Sequence, residues 1–314
     1  NFNVFPHFQI MLRTIWLKLL RKKSYALFLT PHGGFNPEWS IFSFPVRFFK
    51  SFYHFTVGAL LINLSVDGVR AVSEWERHEM LLKHLNPHLL KTISNGLEDE
   101  AYIDVDASAS PDIKSQVALW GKYLIQIGRV YRIKNYETTL RALPLLPTDI
   151  NYVIVGPVGD EQYKLKLLKL IDDLNIQNRV FFAGVIRGVD KYYVIRHSEM
   201  MVHMAVWESY CNVIHEAMSQ GKVVLAADNT AMPLLIKNET NGFCLPTFDH
   251  RLLAKNIIKL LDPGSIDLKH RIESNNRRIG LNDSWNQVAR RMSDFYLDNY
   301  SRVNPVQYLF AYAK

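Results

Sequence analysis

From about residue 120 onward the chain alternates short apolar runs with amphipathic stretches. The runs at 123–127, 152–155, 180–182, 200–203, 223–226 and 242–245 are brief and almost wholly apolar, as strands buried on both faces must be. Between them, residues 136–143, 160–174, 190–195, 212–219 and 251–261 repeat their apolar positions at helical spacing. This pattern predicts a parallel sheet covered by helices, a doubly wound α/β domain. The first third repeats the grammar in shorter form, with strands expected at 25–30, 68–72 and 91–94, and reads as part of a second Rossmann-like domain. Residues 104–115, with Ala107, Ser108, Ala109, Ser110 and Pro111, have the composition of an interdomain linker. After Asp262-Pro263-Gly264 the chain is helical again. Trp285, Val288, Ala289, Met292 and Phe295 or Tyr296 form one apolar stripe there. The expected organisation is a first domain over 1–110, a second over 111–282 and a terminal helix over 283–314.

Composition adds constraints without changing this picture. A chain of 314 residues is long enough for two full cores, and 48% hydrophobic against 21% charged residues excludes a disordered chain. Cys211 and Cys244 lack the paired spacing of a zinc or redox motif, so they read as reduced core thiols, which suits the cytoplasm. The net charge of +7 sits mostly in residues 1–97, where eleven Lys or Arg face five Asp or Glu. There the cations interleave with aromatics, as in Arg47-Phe-Phe-Lys50-Ser-Phe-Tyr, a mixture that suits peripheral contact with an anionic membrane at its inner face. A solvated basic face over an ordinary core is the plainer alternative; nucleic acid is not expected, since no nucleic-acid motif accompanies the charge. The longest apolar run, around 57–66, is about half of the roughly 20 residues that a membrane span needs. No secretory leader is expected either, because His7, Gln9, Arg13 and Lys18 interrupt the first apolar positions, and a chain beginning with Asn1 is expected to start partway into a longer protein.

Two segments carry the chemistry. Gly128-Arg129-Val130-Tyr131-Arg132-Ile133-Lys134-Asn135 follows a strand and precedes a helix, where open α/β sheets bind ligands. Arg129 and Lys134, five apart across a turn, have the chemistry to clamp two adjacent phosphates; the alternative is two surface cations. The second segment runs from Val206-Trp207-Glu208 through Tyr210-Cys211-Asn212 to Glu216 and follows the run at 200–203. A helix starting near Tyr210, Cys211 and Asn212 would aim free backbone N–H groups at the same crevice. Glu216, more than a turn further on, would accept hydrogen bonds from ribose hydroxyls. Glu208 and Glu216 as the acid and base of a glycosidase form a competing reading, which leaves the paired cations and the helix terminus without a purpose.

Residues 123–261 resemble the donor domain of the family-4 retaining glycosyltransferases. The likeness rests on Gly128-Arg129 followed by Lys134, on Val153-Ile154-Val155-Gly156, on Val180-Phe181-Phe182-Ala183-Gly184, and on Glu208 and Glu216 with seven residues between them. It extends more weakly to Thr30-Pro31-His32-Gly33, Val72-Ser73-Glu74, Ile93-Ser94-Asn95-Gly96 and Trp285. The resemblance implies a GT-B fold, two Rossmann-like domains facing a cleft, with the upstream part of the first one missing. It implies a terminal helix crossing back to the first domain. It also implies transfer of a sugar, with retention, from a UDP-sugar or GDP-sugar to a saccharide or lipid-linked acceptor in polysaccharide or glycolipid synthesis. In that likeness Arg129 and Lys134 bind the donor diphosphate, Glu208 contacts the transferred sugar, Glu216 holds the ribose, and His32 approaches the sugar and phosphate. Neither cofactor nor metal is expected, since the cations take that part and no Asp-x-Asp motif is present. The sequence departs from the family at Tyr210-Cys211-Asn212, where a glycine is common, and at 229–235, where paired glycines and a Glu are common. Two rival functions remain open: a non-catalytic nucleotide-sugar-binding subunit or inactive paralogue, and a GT-B sugar-nucleotide epimerase.

Overall fold

The computed structural model describes residues 5–34, 38–39 and 42–303. They form two compact units, one of residues 1–96 with 285–314 and one of residues 97–284. The first unit opens with helix α1 (Phe5–Leu19), the two-residue strand β1 (Phe28–Leu29), and helices α2 (Phe44–Tyr53) and α3 (Ala59–Ser65), joined by a π-helical turn at His54–Gly58. Strand β2 (Gly68–Ala71), helix α4 (Glu74–Leu82) and strand β3 (Leu90–Thr92) follow. The three strands are parallel in the order β1-β2-β3. Strand β1 is shorter than the apolar pattern predicts because the Asp67 carboxylate, rather than a strand carbonyl, takes the Leu27 N–H at 2.7 Å. Ile62, Val69, Ala71 and Met80 make this unit's core.

The second unit begins with helices α5 (Val105–Ser108) and α6 (Pro111–Trp120), which occupy the segment expected to be a linker. Its small polar residues are helix caps: the Asp104 carboxylate accepts from Asp106 and Ala107 N–H, and the Ser110 hydroxyl from Ile113 N–H. Val105, Ala109 and Ile113 are buried in this unit's core. Then come β4 (Lys122–Ile127), α7 (Tyr136–Ala142), β5 (Ile150–Val155), α8 (Glu161–Asp173), β6 (Val180–Gly184), α9 (Gly188–Arg196), β7 (Met200–His203) and α10 (Asn212–Ser219). The unit ends with β8 (Val224–Ala227), α11 (Met232–Leu235), β9 (Gly242–Leu245), α12 (His250–Leu261) and α13 (Ile266–Gly280). All six strands are parallel, in the order β6-β5-β4-β7-β8-β9. From β4 the chain builds outward to β6, returns to β7 beside β4, and builds outward the other way. The switch point therefore lies between β4 and β7, and ligands of open α/β sheets bind outside the carboxyl ends of the strands at such a point. Strands β7 and β8 are buried along their whole length, which accounts for their lack of a polar face.

The last helix, α14 (Trp285–Val303), belongs to the first unit, where Val288 and Phe295 pack with Ile93 and Phe28. Its expected stripe is narrower than predicted, since Trp285 is 40% exposed and Ala289 is exposed. The cysteines are free, Cys211 buried and Cys244 only half-buried. Among the described residues no helix is long and apolar enough to cross a membrane.

Candidate functional site

At the switch point the loop after β4 is pinned from three sides. Gly128 N–H donates to the Val155 carbonyl at 2.8 Å, and Gly156 N–H donates to the Gly184 carbonyl at 2.7 Å, so the ends of β4, β5 and β6 are tied in series. A β-carbon on Gly156, whose φ is +145°, would lie 2.1 Å from the Gly128 carbonyl oxygen. Only glycine allows that approach, which gives the glycine after Val155 its physical reason. Further along, the Tyr136 hydroxyl donates to the Gly128 carbonyl, Gln126 to the Lys134 carbonyl, and buried Asn135 to the Met204 and Thr247 carbonyls.

The loop after β7 closes the other side. Glu208 N–H donates to the Thr230 hydroxyl at 3.1 Å, and Asn229 bonds the Ala205 carbonyl and the Thr247 hydroxyl. The departure at 229–230 is thus a pair of polar residues that positions Glu208. Helix α10 starts from Cys211, whose φ of +74° lies in the left-handed region. The position where the family commonly has glycine has a glycine-like backbone here, carried by a cysteine.

Between these loops lies a cavity of about 400 Å³ lined by Gly128, Arg129, Lys134, Glu208, Cys211, Asn212 and Val213, among others. A larger one, about 740 Å³, lies by Lys222, Gly221, Arg277 and Arg278, beyond the last turn of α10. The smaller cavity is the candidate site because it alone of the two sits at the carboxyl end of β4 and the start of α10. Its electrostatic centre is the Glu208 carboxylate. One oxygen accepts from the Lys134 ammonium and from His203 Nε2, the latter at 2.8 Å. Burial pushes the Glu208 carboxyl upward, but the Lys134 charge and the His203 bond outweigh it and hold the group at about 2. Burial keeps His203 neutral, with its pKa below the ordinary value, so its Nε2 carries the proton given to Glu208. Arg129 is exposed and makes no ion pair among the described residues.

The structure thus gathers Arg129, Lys134, Glu208, Cys211 and Asn212 around one cavity. One expectation needs correcting: Lys134 is engaged by Glu208 rather than standing as half of an open clamp. Tyr210, expected to serve through its backbone, has a buried side chain with its hydroxyl 3.2 Å from His215 Nδ1, and it is Val213 that lines the cavity beside Cys211 and Asn212. Glu216 lies off the cavity wall. Its Oε1 accepts from Lys191 at 3.1 Å, Lys191 also bonds Glu98, and its buried Oε2 has no partner among the described residues. Burial raises the Glu216 carboxyl above its ordinary value despite Lys191. His32 belongs to the first unit. It occupies a turn at φ +48°, where the Glu76 carboxylate accepts the N–H groups of Gly33 and Val72, and burial together with Arg70 lowers its pKa. Sequence reasoning missed His203, Thr230, Lys191 and Glu76. Of these, His203 left the clearest signal, a histidine ending an otherwise apolar strand five residues before Glu208.

Potential ligand atoms of His203, Glu208 and Cys211 lie within 4.8 Å of one another. They fit a metal ion poorly: the shared carboxylate already carries Lys134, and burial holds the Cys211 thiol protonated, well above its usual range.

The sequence model of the family described as Glycosyl transferases group 1 matches residues 113–279. An uncharacterized glycosyltransferase of Methanocaldococcus jannaschii is 23% identical over 259 residues, 82% of this chain and 64% of its own length. A second relative is the N-acetylgalactosamine-N,N'-diacetylbacillosaminyl-diphospho-undecaprenol 4-alpha-N-acetylgalactosaminyltransferase of Campylobacter jejuni. It is 30% identical over 113 residues, 36% of this chain and 30% of its own. The chain therefore spans less than two thirds of either curated relative. The Anabaena protein HepE, solved in complex with UDP and glucose, superposes with a TM-score of 0.73 at 21% identity, over 91% of this chain and 74% of its own. These likenesses show the fold, a GT-B α/β architecture with two Rossmann-like units.

Proposed function

The chain belongs to the glycosyl transferases group 1 family, and from that premise we propose that it moves a sugar from a nucleoside diphosphate sugar to an acceptor hydroxyl in glycan or glycolipid synthesis. The observation that carries this reading is the convergence of Arg129, Lys134 and the start of α10 on the cavity that Glu208 anchors. When the anomeric C–O bond to the diphosphate breaks, negative charge grows on the departing phosphate. An exposed guanidinium, a half-buried ammonium and the positive end of a helix are what stabilise it, without a metal or other cofactor. The acceptor oxygen bonds to the anomeric carbon on the same face, and its proton passes to the departing phosphate oxygen, which retains the configuration.

A carboxyl held at about 2 is ionised at neutral pH and has no proton to donate, so Glu208 is no general acid. Such a group suits a carboxylate that accepts from the sugar hydroxyls and steadies Lys134; the glycosidase reading is disfavoured because its second carboxylate, Glu216, lies off the cavity that Glu208 lines and is engaged by Lys191. Glu216 Oε2, a buried acceptor without a partner, suits a ribose hydroxyl. His32 is assigned to the donor sugar and phosphate on the resemblance. UDP is the first nucleotide to test because the HepE structure holds it. A lipid-linked acceptor at an anionic membrane is the choice suggested by the Campylobacter relative's undecaprenol substrate and by the basic, aromatic first third.

Calorimetric titration of UDP, GDP and ADP without metal tests the donor site. One nucleotide should bind the wild type and lose at least about tenfold in affinity in Arg129→Ala and in Glu216→Ala. Well-folded protein that binds none of the three would refute the assignment.

A further inference from the structure

The larger cavity, about 740 Å³, has the size of a ligand site and lies wholly within the second unit. Arg196 and Lys222 on its wall come just before β7 and β8, so it opens at the amino ends of the strands, the opposite end of the sheet from the donor cavity. Its charged lining is one-sided. Arg196, Lys222, Arg277 and Arg278 stand against a single carboxylate, Glu273. Arg196 is paired with Asp106 at 3.0 Å, whereas Lys222, Arg277 and Arg278 make no ion pair among the described residues, with Glu273 or any other acid. Lys222 is the least favourable of them. It is half-buried, burial lowers its pKa, and Glu273 only partly offsets this while Lys269 and Arg196 add to it. A desolvated cation without a counter-ion weakens a fold, so its presence calls for a reason other than stability.

Helix ends account for part of this pattern. Arg196 lies in the last turn of α9, Arg277 and Arg278 lie in the last turn of α13, and Lys222 follows α10; cations are favoured at such places. That reason acts on each helix separately. It does not bring three unpaired cations to one hollow. The hollow is also fixed before anything binds: buried Asn276 donates to the Lys222 carbonyl at 2.7 Å and to the Asn241 carbonyl at 2.8 Å, and buried Gln220 donates to the Ala101 carbonyl at 3.2 Å. The N–H groups of Gln220, Gly221 and Lys222 occupy the Ala217 and Met218 carbonyls at the end of α10, which would otherwise repel an anion.

We propose that this cavity binds a small soluble phosphate ester, its phosphate held by Lys222, Arg277 and Arg278. A phosphate dianion supplies the charge by which these three cations outnumber Glu273. The rest of the wall selects what the phosphate carries. Leu281 is the one apolar side chain of the lining, too little to hold a nucleobase or an acyl chain, and the Ser274 hydroxyl beside it is open to a ligand hydroxyl. A hydroxyl-rich carbon skeleton, that of a sugar phosphate, fits such a wall. The inference is independent of the donor site and of the proposed function.

The test is calorimetric titration of glucose 6-phosphate at roughly 0.15 M salt, where attraction to scattered surface cations is screened, with glucose as the uncharged control. It compares the wild type with Arg277→Gln/Arg278→Gln, Lys222→Gln, Glu273→Gln and, to separate the donor cavity, Arg129→Ala. Glucose 6-phosphate should bind the wild type and Arg129→Ala alike, and glucose should bind neither. Affinity should fall at least about tenfold in the double arginine variant and in Lys222→Gln, and rise about threefold in Glu273→Gln, which removes the one carboxylate. Arg277 and Arg278 are exposed, so the double variant should keep the wild-type thermal midpoint. Folded wild type that does not bind glucose 6-phosphate overturns the proposal. So does affinity that Arg129→Ala removes and the double arginine variant retains, since the phosphate would then sit in the donor cavity. Vesicles of phosphatidic acid that bind through Arg277 and Arg278 while glucose 6-phosphate does not would overturn it as well, giving the cavity to a lipid headgroup.

Discussion

Glu208 is where the electrostatics of this chain are most concentrated, and its depressed pKa ties stability to pH. The folded carboxyl sits at about 2 against an ordinary 4.5, with Lys134 and His203 as the cause. A depressed carboxyl contributes stability that is present above the unfolded value and lost as pH falls through the folded one, so the window runs from about 4.5 down to about 2. The contribution is about 3 kcal/mol at neutral pH. In Glu208→Gln the half-buried Lys134 keeps its charge without a counter-ion, so the urea midpoint should drop by the equivalent of at most about 3 kcal/mol and vary less with pH across that window. Parallel midpoint curves for variant and wild type would contradict the ion-pair account. Glu216 has the opposite sign. Its carboxyl is raised by burial, so it takes up a proton while ordinary carboxylates are still ionised. Nucleotide affinity that needs Glu216 as an acceptor should be full above that raised value and weaken as pH falls through it. Glu216→Gln should abolish this part of the pH dependence in a calorimetric series, leaving only that of the nucleotide itself.

At the scale of elements, the glycines at the ends of β4, β5 and β6 decide whether the loop after β4 keeps its shape. Gly156→Ala sets a β-carbon against the Gly128 carbonyl and needs a φ that alanine rarely takes. It should cost about 3 kcal/mol, read as a lowered thermal midpoint, and weaken nucleotide binding by displacing Arg129. Gly159→Ala is the control, because its β-carbon would clash with the flexible Arg129 side chain, 2.2 Å from Cδ, and stand at an ordinary 3.5 Å from the nearest backbone atom, the Val130 carbonyl oxygen. It should spare the midpoint and still reduce affinity. If both variants behave alike, the backbone contact is not what fixes the loop. The same elements explain how much could be read beforehand. The inner strands of the second unit are buried on both faces, edge strand β6 is half-buried, and the helices bury one face, so their periodicity marks them within a residue or two: the pattern predicts α10 at 212–219, where it is found. The stretch at 104–115 misled because caps and loops draw on the same residues, and only its partners distinguish them: Ser110 holds Asp190 at 2.8 Å, eighty residues away. Arg129, Lys134, Glu208 and Asn212 were legible because loop and helix start are sequence-local. His203, Thr230 and Lys191 were not, because the sheet order alone brings them to the site.

For the molecule as a whole, the two units differ in how much they bury. The second has six parallel strands around Leu124, Ile125, Val153, Leu225 and Ile257, all fully buried. The first has three short strands and smaller clusters around Ile62 and Val288. Local opening follows buried apolar contact, so amide exchange should begin in β1–β3 and α4 at lower denaturant than in β4–β9. A nucleotide that binds only the second unit stabilises that unit by mass action, by about 2.7 kcal/mol at one hundred times its dissociation constant. Hydrogen exchange followed by mass spectrometry, with and without saturating UDP, should show added protection confined to peptides of residues 97–284, greatest around the loop after β4 and the start of α10. Equal protection of both units would mean that they open as one cooperative body. Protection confined to the second unit would mean that the first opens on its own whether or not a nucleotide is bound, so that its stability and nucleotide loading are set independently.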